Sequence, residues 1–196
     1  LVTRIGNEPP YTFNNLGWIT DGGNTTDGNN VQAGLDREDP NNGSLDAEAI
    51  DPNGMALGSP IRVFDFPVNP SVPSNPAVAT GDAPLPIGQT PQLCLEAGTS
   101  AFPTDFQKAA ITHLFYVTNV FHDEVYRLGF TESARNFQDD NFGRGGLAGD
   151  RISAQAQDCS GITNANFSTP ADGERPQMQM YLWPGPNPDI DGSFDS

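Results

Sequence analysis

The chain has 196 residues, enough for one domain with its own core, yet only 36% are hydrophobic while Gly and Pro number 21 and 18. That mixture implies many turns and irregular connections and excludes a plain helical bundle. A net charge of −16, with Lys108 the sole lysine among nine basic residues, excludes binding to nucleic acid or an anionic membrane, since both need clustered Lys and Arg.

Residues 1–60 are dominated by Asn, Gly, Asp and Pro, with sparse anchors such as Tyr11, Phe13, Leu16 and Trp18. That density of turn formers predicts loops and short strands pinned by a few aromatics. The start at Leu1-Val2 leads straight into polar sequence, as expected of a processed mature chain. The run Ile61 to Phe66 alternates well enough to predict a strand. Residues 67–92, rich in proline and poor in large apolar groups, predict an extended surface strap. No apolar run approaches the roughly 20 residues of a membrane-spanning helix.

The clearest element is a helix from Asp105 to Leu128. Thr104 with Gln107 makes a capping-box pattern, and Gly129 suits the left-handed position past the helix end. Phe106, Ala110, Leu114, Val117, Phe121, Val125 and Leu128 recur at spacings of three and four, predicting a stripe that faces the core. Ile111, Phe115, Val120 and Tyr126 widen it. From Arg151 the period becomes two: Ile152, Ala154 and Ala156 alternate with Ser153, Gln155 and Gln157 in a half-buried strand. Met178, Met180 and Leu182 alternate in a second, after the turn Pro170 to Gly173. The expectation is a single α+β lobe over 1–196, loop-rich over 1–100, with an antiparallel sheet packed on one long helix over 104–196.

His113 and His122, the only histidines, stand nine residues apart on the helix, on opposite faces at about 100° per residue, so they do not chelate one metal together. Both read as structural, with His122 and Asp123 orienting a neighbouring loop. Gly143-Arg144-Gly145-Gly146 precedes a strand and lacks the Lys-Ser/Thr of a phosphate loop, so it reads as a surface turn. Cys94 and Cys159 suit one disulfide of an oxidising compartment, the alternative being two separate buried thiols; a nucleophilic Cys159 has no histidine near it in sequence. Sequons at Asn24, Asn42 and Asn166 matter only in a secretory pathway. Asp189, Asp191 and Asp195 around Gly192 form either a solvated acidic turn or oxygen ligands for calcium.

Several blocks in order, Gly129-Phe130, Asn136-Phe137-Gln138, Asn141-Phe142-Gly143, Asn164-Ala165-Asn166-Phe167, Pro170 with Asp172-Gly173, and Met178-Gln179-Met180-Tyr181, resemble the fungalysin family of secreted, thermolysin-like zinc metallopeptidases. The resemblance covers most of 105–195, with fainter agreement around Leu16-Gly17-Trp18 and Gly28-Asn29-Asn30-Val31. It implies the N-terminal lobe of an extracellular zinc endopeptidase. The His-Glu-x-x-His helix and the zinc would then belong to sequence beyond Ser196, and the partners would be the C-terminal lobe of the same peptidase and a protein or peptide substrate. It also implies that Asn164, Ala165, Asn166 and Phe167 form the edge strand that pairs with substrate, with Phe167 anchored in the core. Cys159 stands where the family has glycine, so a bridge to Cys94 would be particular to this chain. A glycan on Asn166 would crowd the substrate edge. The alternative is a non-catalytic extracellular structural or adhesive protein built on a peptidase-like lobe.

Overall fold

Parallel strands need a long crossover between them, and here the long helix supplies it. The computed structural model describes residues 18–19, 23–36, 54–59, 61–64, 66, 107–162, 164–183 and 190–191. In chain order these hold β1 (Val31–Leu35), α1 (Gln107–Arg127), a 3-10 turn (Glu132–Ala134), β2 (Ile152–Ile162), β3 (Ala165–Ser168), β4 (Gln177–Trp183) and the short β5 (Ile190–Asp191). The sheet runs β1-β2-β4-β3, with β5 also on β4. The class is α+β, as expected.

The sheet is mixed rather than antiparallel. β1 pairs with β2, and β2 with β4, in parallel; only β3 and β5 meet β4 antiparallel. Central parallel strands are covered on both faces. Accordingly, Ser153, Gln155 and Gln157 are as buried as Ile152, Ala154 and Ala156, which corrects the half-buried reading of β2. The alternation holds as far as Ala156; Gln157, at φ +50°, marks an irregularity that shifts the register with β4 between Gln155 and Asp158. Val31, Ala33, Leu35, Ile152, Ala154 and Ala156 join Ala110, Ile111, Leu114 and Phe115 of α1 in the core, and the small side chains let the helix lie close to the sheet. The opposite face carries polar groups that bond to one another: Gln155 donates to Asp36, and Gln179 Nε2 donates to Asp158 Oδ2 at 2.7 Å.

The stripe assigned to α1 is right at its start and wrong further on. Ala110 and Leu114 are buried, whereas Val117, Phe121 and Leu128 are exposed, Phe121 by 65%. The second half of the helix buries Thr118, Asn119, His122, Asp123 and Tyr126 instead. Hydrogen bonds outweigh apolar periodicity there, because each buried polar group finds a partner. Asn119 accepts from Asn30 at 3.2 Å and donates to the Phe115 carbonyl at 2.8 Å, and Trp18 Nε1 donates to Asp123 at 3.0 Å. Tyr126 donates to Glu132 at 2.8 Å.

The helix ends as its glycine predicts. Gly129 has φ +105°, its N–H donates to the Tyr126 carbonyl at 3.0 Å, and the Phe130 N–H donates to that of Val125 at 2.9 Å. This pair of bonds is a Schellman cap. Thr104, Asp105 and Phe106, like the strap 67–92, lie outside the described residues. Among the described residues of the run Ile61 to Phe66 there is no strand: Ile61 and Arg62 form a turn, in which Arg62 sits at φ +62° and donates its N–H to Asn24 Oδ1 at 2.5 Å. That side-chain bond holds the backbone out of the extended region.

Candidate functional site: the free edge of the sheet

The segment between α1 and β2 positions the far end of the sheet. Buried Glu132 holds it to the helix through Tyr126, and to the glycine-rich turn through Arg144 Nη1 at 2.9 Å. Gly146 is obligatory there: a Cβ would lie 2.4 Å from the Glu132 carbonyl oxygen, and its φ is +62°. Asp150, fully buried, accepts from the Gln138 N–H at 2.9 Å and the Gly173 N–H at 3.1 Å, tying this segment to the turn that leads into β4. Between these ties sits Phe137, edge-on to Phe130 at 5.7 Å and tilted against Phe167 at 6.0 Å. The blocks that carry the sequence resemblance thus build the support for β3.

β3 ends the sheet order, and all four of its residues are exposed. Its register is regular, Ala165 to Ser168 opposite Met180 to Gln177. The Tyr181 N–H donates to the Asn164 carbonyl at 3.3 Å, so Asn164 and Tyr181 are a hydrogen-bonded pair. Antiparallel pairs alternate. Asn166 and Ser168 therefore direct their backbone groups toward β4, and Ala165 and Phe167 direct theirs outward. The side chains alternate across the sheet as well. Asn166 Nδ2 donates to the Tyr181 hydroxyl at 2.6 Å on the polar face, whereas Ala165 and Phe167 share the helix side with Met180 and Met178. Phe167 is 42% exposed and stacks on Phe137, so it leans on the core without being buried in it, which corrects its expected role as an anchor. Sequence reading missed Tyr181 and Phe137 as supports of this strand, although Tyr181 falls in the polar phase of β4.

The charges lie at the start of the neighbouring strands. Arg151 donates to Asp27 and, at 3.1 Å, to the Gly28 carbonyl, with Asp139 at 4.0 Å. Arg175 donates to Gln32 Oε1 at 3.1 Å. Burial pushes the Asp27 carboxyl up from its ordinary value, against the opposing pull of Arg151. Burial and the nearby Arg151 push Arg175 down.

For metal chemistry the described residues offer no group of three His, Cys, Asp or Glu side chains. His122 is buried, with Nδ1 3.4 Å from Asp123 and Nε2 3.5 Å from the Asn136 amide, so it orients the segment after α1. These residues do not fit a catalytic zinc, and no catalytic step is assigned to them. Asn24 is described, its amide donating to the Gly58 carbonyl at 3.0 Å. Cys94, Asn42, Asp189 and Asp195 lie outside the described residues, as do the side chains of Cys159 and Asp191, so the disulfide and the acidic tail stay expectations.

Comparison with known proteins gives this geometry its context. The chain is 37% identical to extracellular metalloproteinase 4 of Arthroderma gypseum over 191 residues, which are 96% of this chain and 24% of that protein. It is 37% identical to extracellular metalloproteinase mep of Aspergillus flavus over 182 residues, 91% of this chain and 23% of that one. With extracellular metalloproteinase 4 of Trichophyton tonsurans it shares 49% identity over 94 residues, 48% of this chain and 15% of that protein. The chain spans about a quarter of the length of the relatives that match it along most of its own length. A model of the fungalysin metallopeptidases (M36) matches residues 4–196, and the chain belongs to that family.

Proposed function

We propose that this chain is the substrate-edge lobe of a secreted zinc metalloendopeptidase, whose zinc ligands come from sequence outside residues 1–196. One observation carries the reading: β3 is exposed along its length and turns the N–H and C=O of Ala165 and Phe167 away from the sheet. An extended peptide adds to such an edge through main-chain bonds. The Ala165 methyl leaves room for its approach, and the Asn164 carboxamide both donates and accepts beside it. The extracellular relatives support the location, and the family name supports the metal.

The partner is the remainder of the same peptidase. Among the described residues α1 packs mainly on β1 and β2 and reaches β4 through Thr118 and Met178, leaving Val117 and Phe121 exposed while Met178 and Met180 of β4 are half-buried. An open apolar face of this kind fits further protein rather than water. We assign calcium to Asp189, Asp191 and Asp195 with ligands completed by that remainder, and a disulfide to Cys94 and Cys159. A glycan on Asn166 would leave from the face that bears Tyr181 rather than from the outward edge, so the sequon and peptide pairing are compatible.

In the protein of its relatives' length, Asn164→Ala should lower catalytic efficiency several-fold to tenfold, the loss of one or two bonds of about 0.5–1.5 kcal/mol each, with metal content unchanged. Unchanged efficiency would remove Asn164 from the site. A folded, metal-free protein without peptidase activity would favour the structural or adhesive alternative.

A further inference from the structure

The edge described above is not bare. Asn164 Oδ1 accepts the Ala165 N–H at 2.9 Å. Ladder alternation sends that N–H away from β4, so it is the first outward donor of the strand. The Asn164 carbonyl is held by the Tyr181 N–H at 3.3 Å, which fixes the backbone while the exposed carboxamide folds over its neighbour.

We propose that the Asn164 carboxamide is a displaceable cap on β3, closing the outward Ala165 N–H in the free protein and giving it up when an extended chain adds to the edge. This rests on the edge reading given under the proposed function. An unpaired edge donor is a template for unwanted strand pairing, and a side chain that occupies it guards the edge. The displacement is chemically balanced. The incoming carbonyl takes the Ala165 N–H, and the released carboxamide is free to bond the incoming backbone in turn. Phe167, two residues on, turns its N–H outward in the same way and serves as an internal reference.

Amide hydrogen exchange at single residues tests this on the chain. After correction for intrinsic rates, Ala165 should exchange about tenfold more slowly than Phe167, as expected for one additional hydrogen bond. Asn164→Ala should bring Ala165 to the Phe167 rate while β4 amides keep theirs, and Asn164→Asp, which retains the acceptor, should keep Ala165 slow. Equal rates in the wild type, or a slow Ala165 in Asn164→Ala, would overturn the cap. A blocked hexapeptide of alternating valine and threonine supplies the second arm. If it slows Phe167 and shifts the Asn164 side-chain amide resonance, the cap is displaced as proposed. If it slows Phe167 and leaves that resonance in place, displacement is wrong although the edge binds peptide. If it leaves Phe167 fast, the edge reading fails, and displacement with it, while the free-state rates still decide the cap.

Discussion

β2 and β3 lie in one sheet, separated by β4, and meet opposite fates. β2 is paired on both sides and buried on both faces from Ile152 to Asp158, polar positions included. β3 is paired with β4 and exposed at every residue. The sequences hardly differ in polarity; position in the sheet decides. A strand whose backbone groups are all used makes the fold, and one with groups left over is available for chemistry with another chain.

The sharpest way to break this comparison is to place one charge on each strand. Ala154→Asp would bury a carboxylate at a fully buried position and should cost more than about 4 kcal/mol, enough to prevent folding of a marginal domain. Ala165→Asp should change stability by no more than about 0.5 kcal/mol, as for an ordinary surface substitution. Denaturant midpoints of the two variants decide it, and similar losses would mean that β3 is packed rather than free.

The same contrast divides α1. Leu114→Ala should cost about 2–5 kcal/mol because the surrounding core cannot close over the cavity. Phe121→Ala, on the uncovered side, should cost less than about 1 kcal/mol in this chain, by thermal or chemical melting. A larger loss at Phe121 than at Leu114 would restore the face that periodicity alone selects.

A smaller effect concerns the charges beside the strand starts. Burial raises the folded-state pKa of Asp27, so its stabilising contribution is present below the ordinary carboxylate range and is lost as pH rises through the raised value. The penalty of Asp27→Asn should therefore shrink from about pH 3 to neutrality. A penalty that grows over that range would mean that the Arg151 ion pair outweighs burial.

Much of this was legible in the chain. The period-two runs located β2 and β4, and Gly129 marked the helix end to the residue, because local backbone chemistry sets both. The direction of strand pairing was not legible, since a parallel neighbour such as β1 is 121 positions from its partner, Val31 against Ile152. The second half of α1 misled for a different reason. Periodicity counts apolar residues, whereas Asn119, His122 and Asp123 are buried because Asn30, Asn136 and Trp18 meet them, and nothing near them in sequence announces those partners. Asn164 and Ala165 stood out through family resemblance alone. Their outward geometry came from the register with β4.

The central claim is that the outward groups of β3 hold an extended chain. Ala165→Pro tests it most directly, because it deletes an N–H that serves no ladder bond, a change that edge strands tolerate. In the protein of its relatives' length, catalytic efficiency toward a peptide should fall at least about tenfold, while metal content and the melting midpoint stay near wild type. Full activity in a folded Ala165→Pro protein would contradict the account.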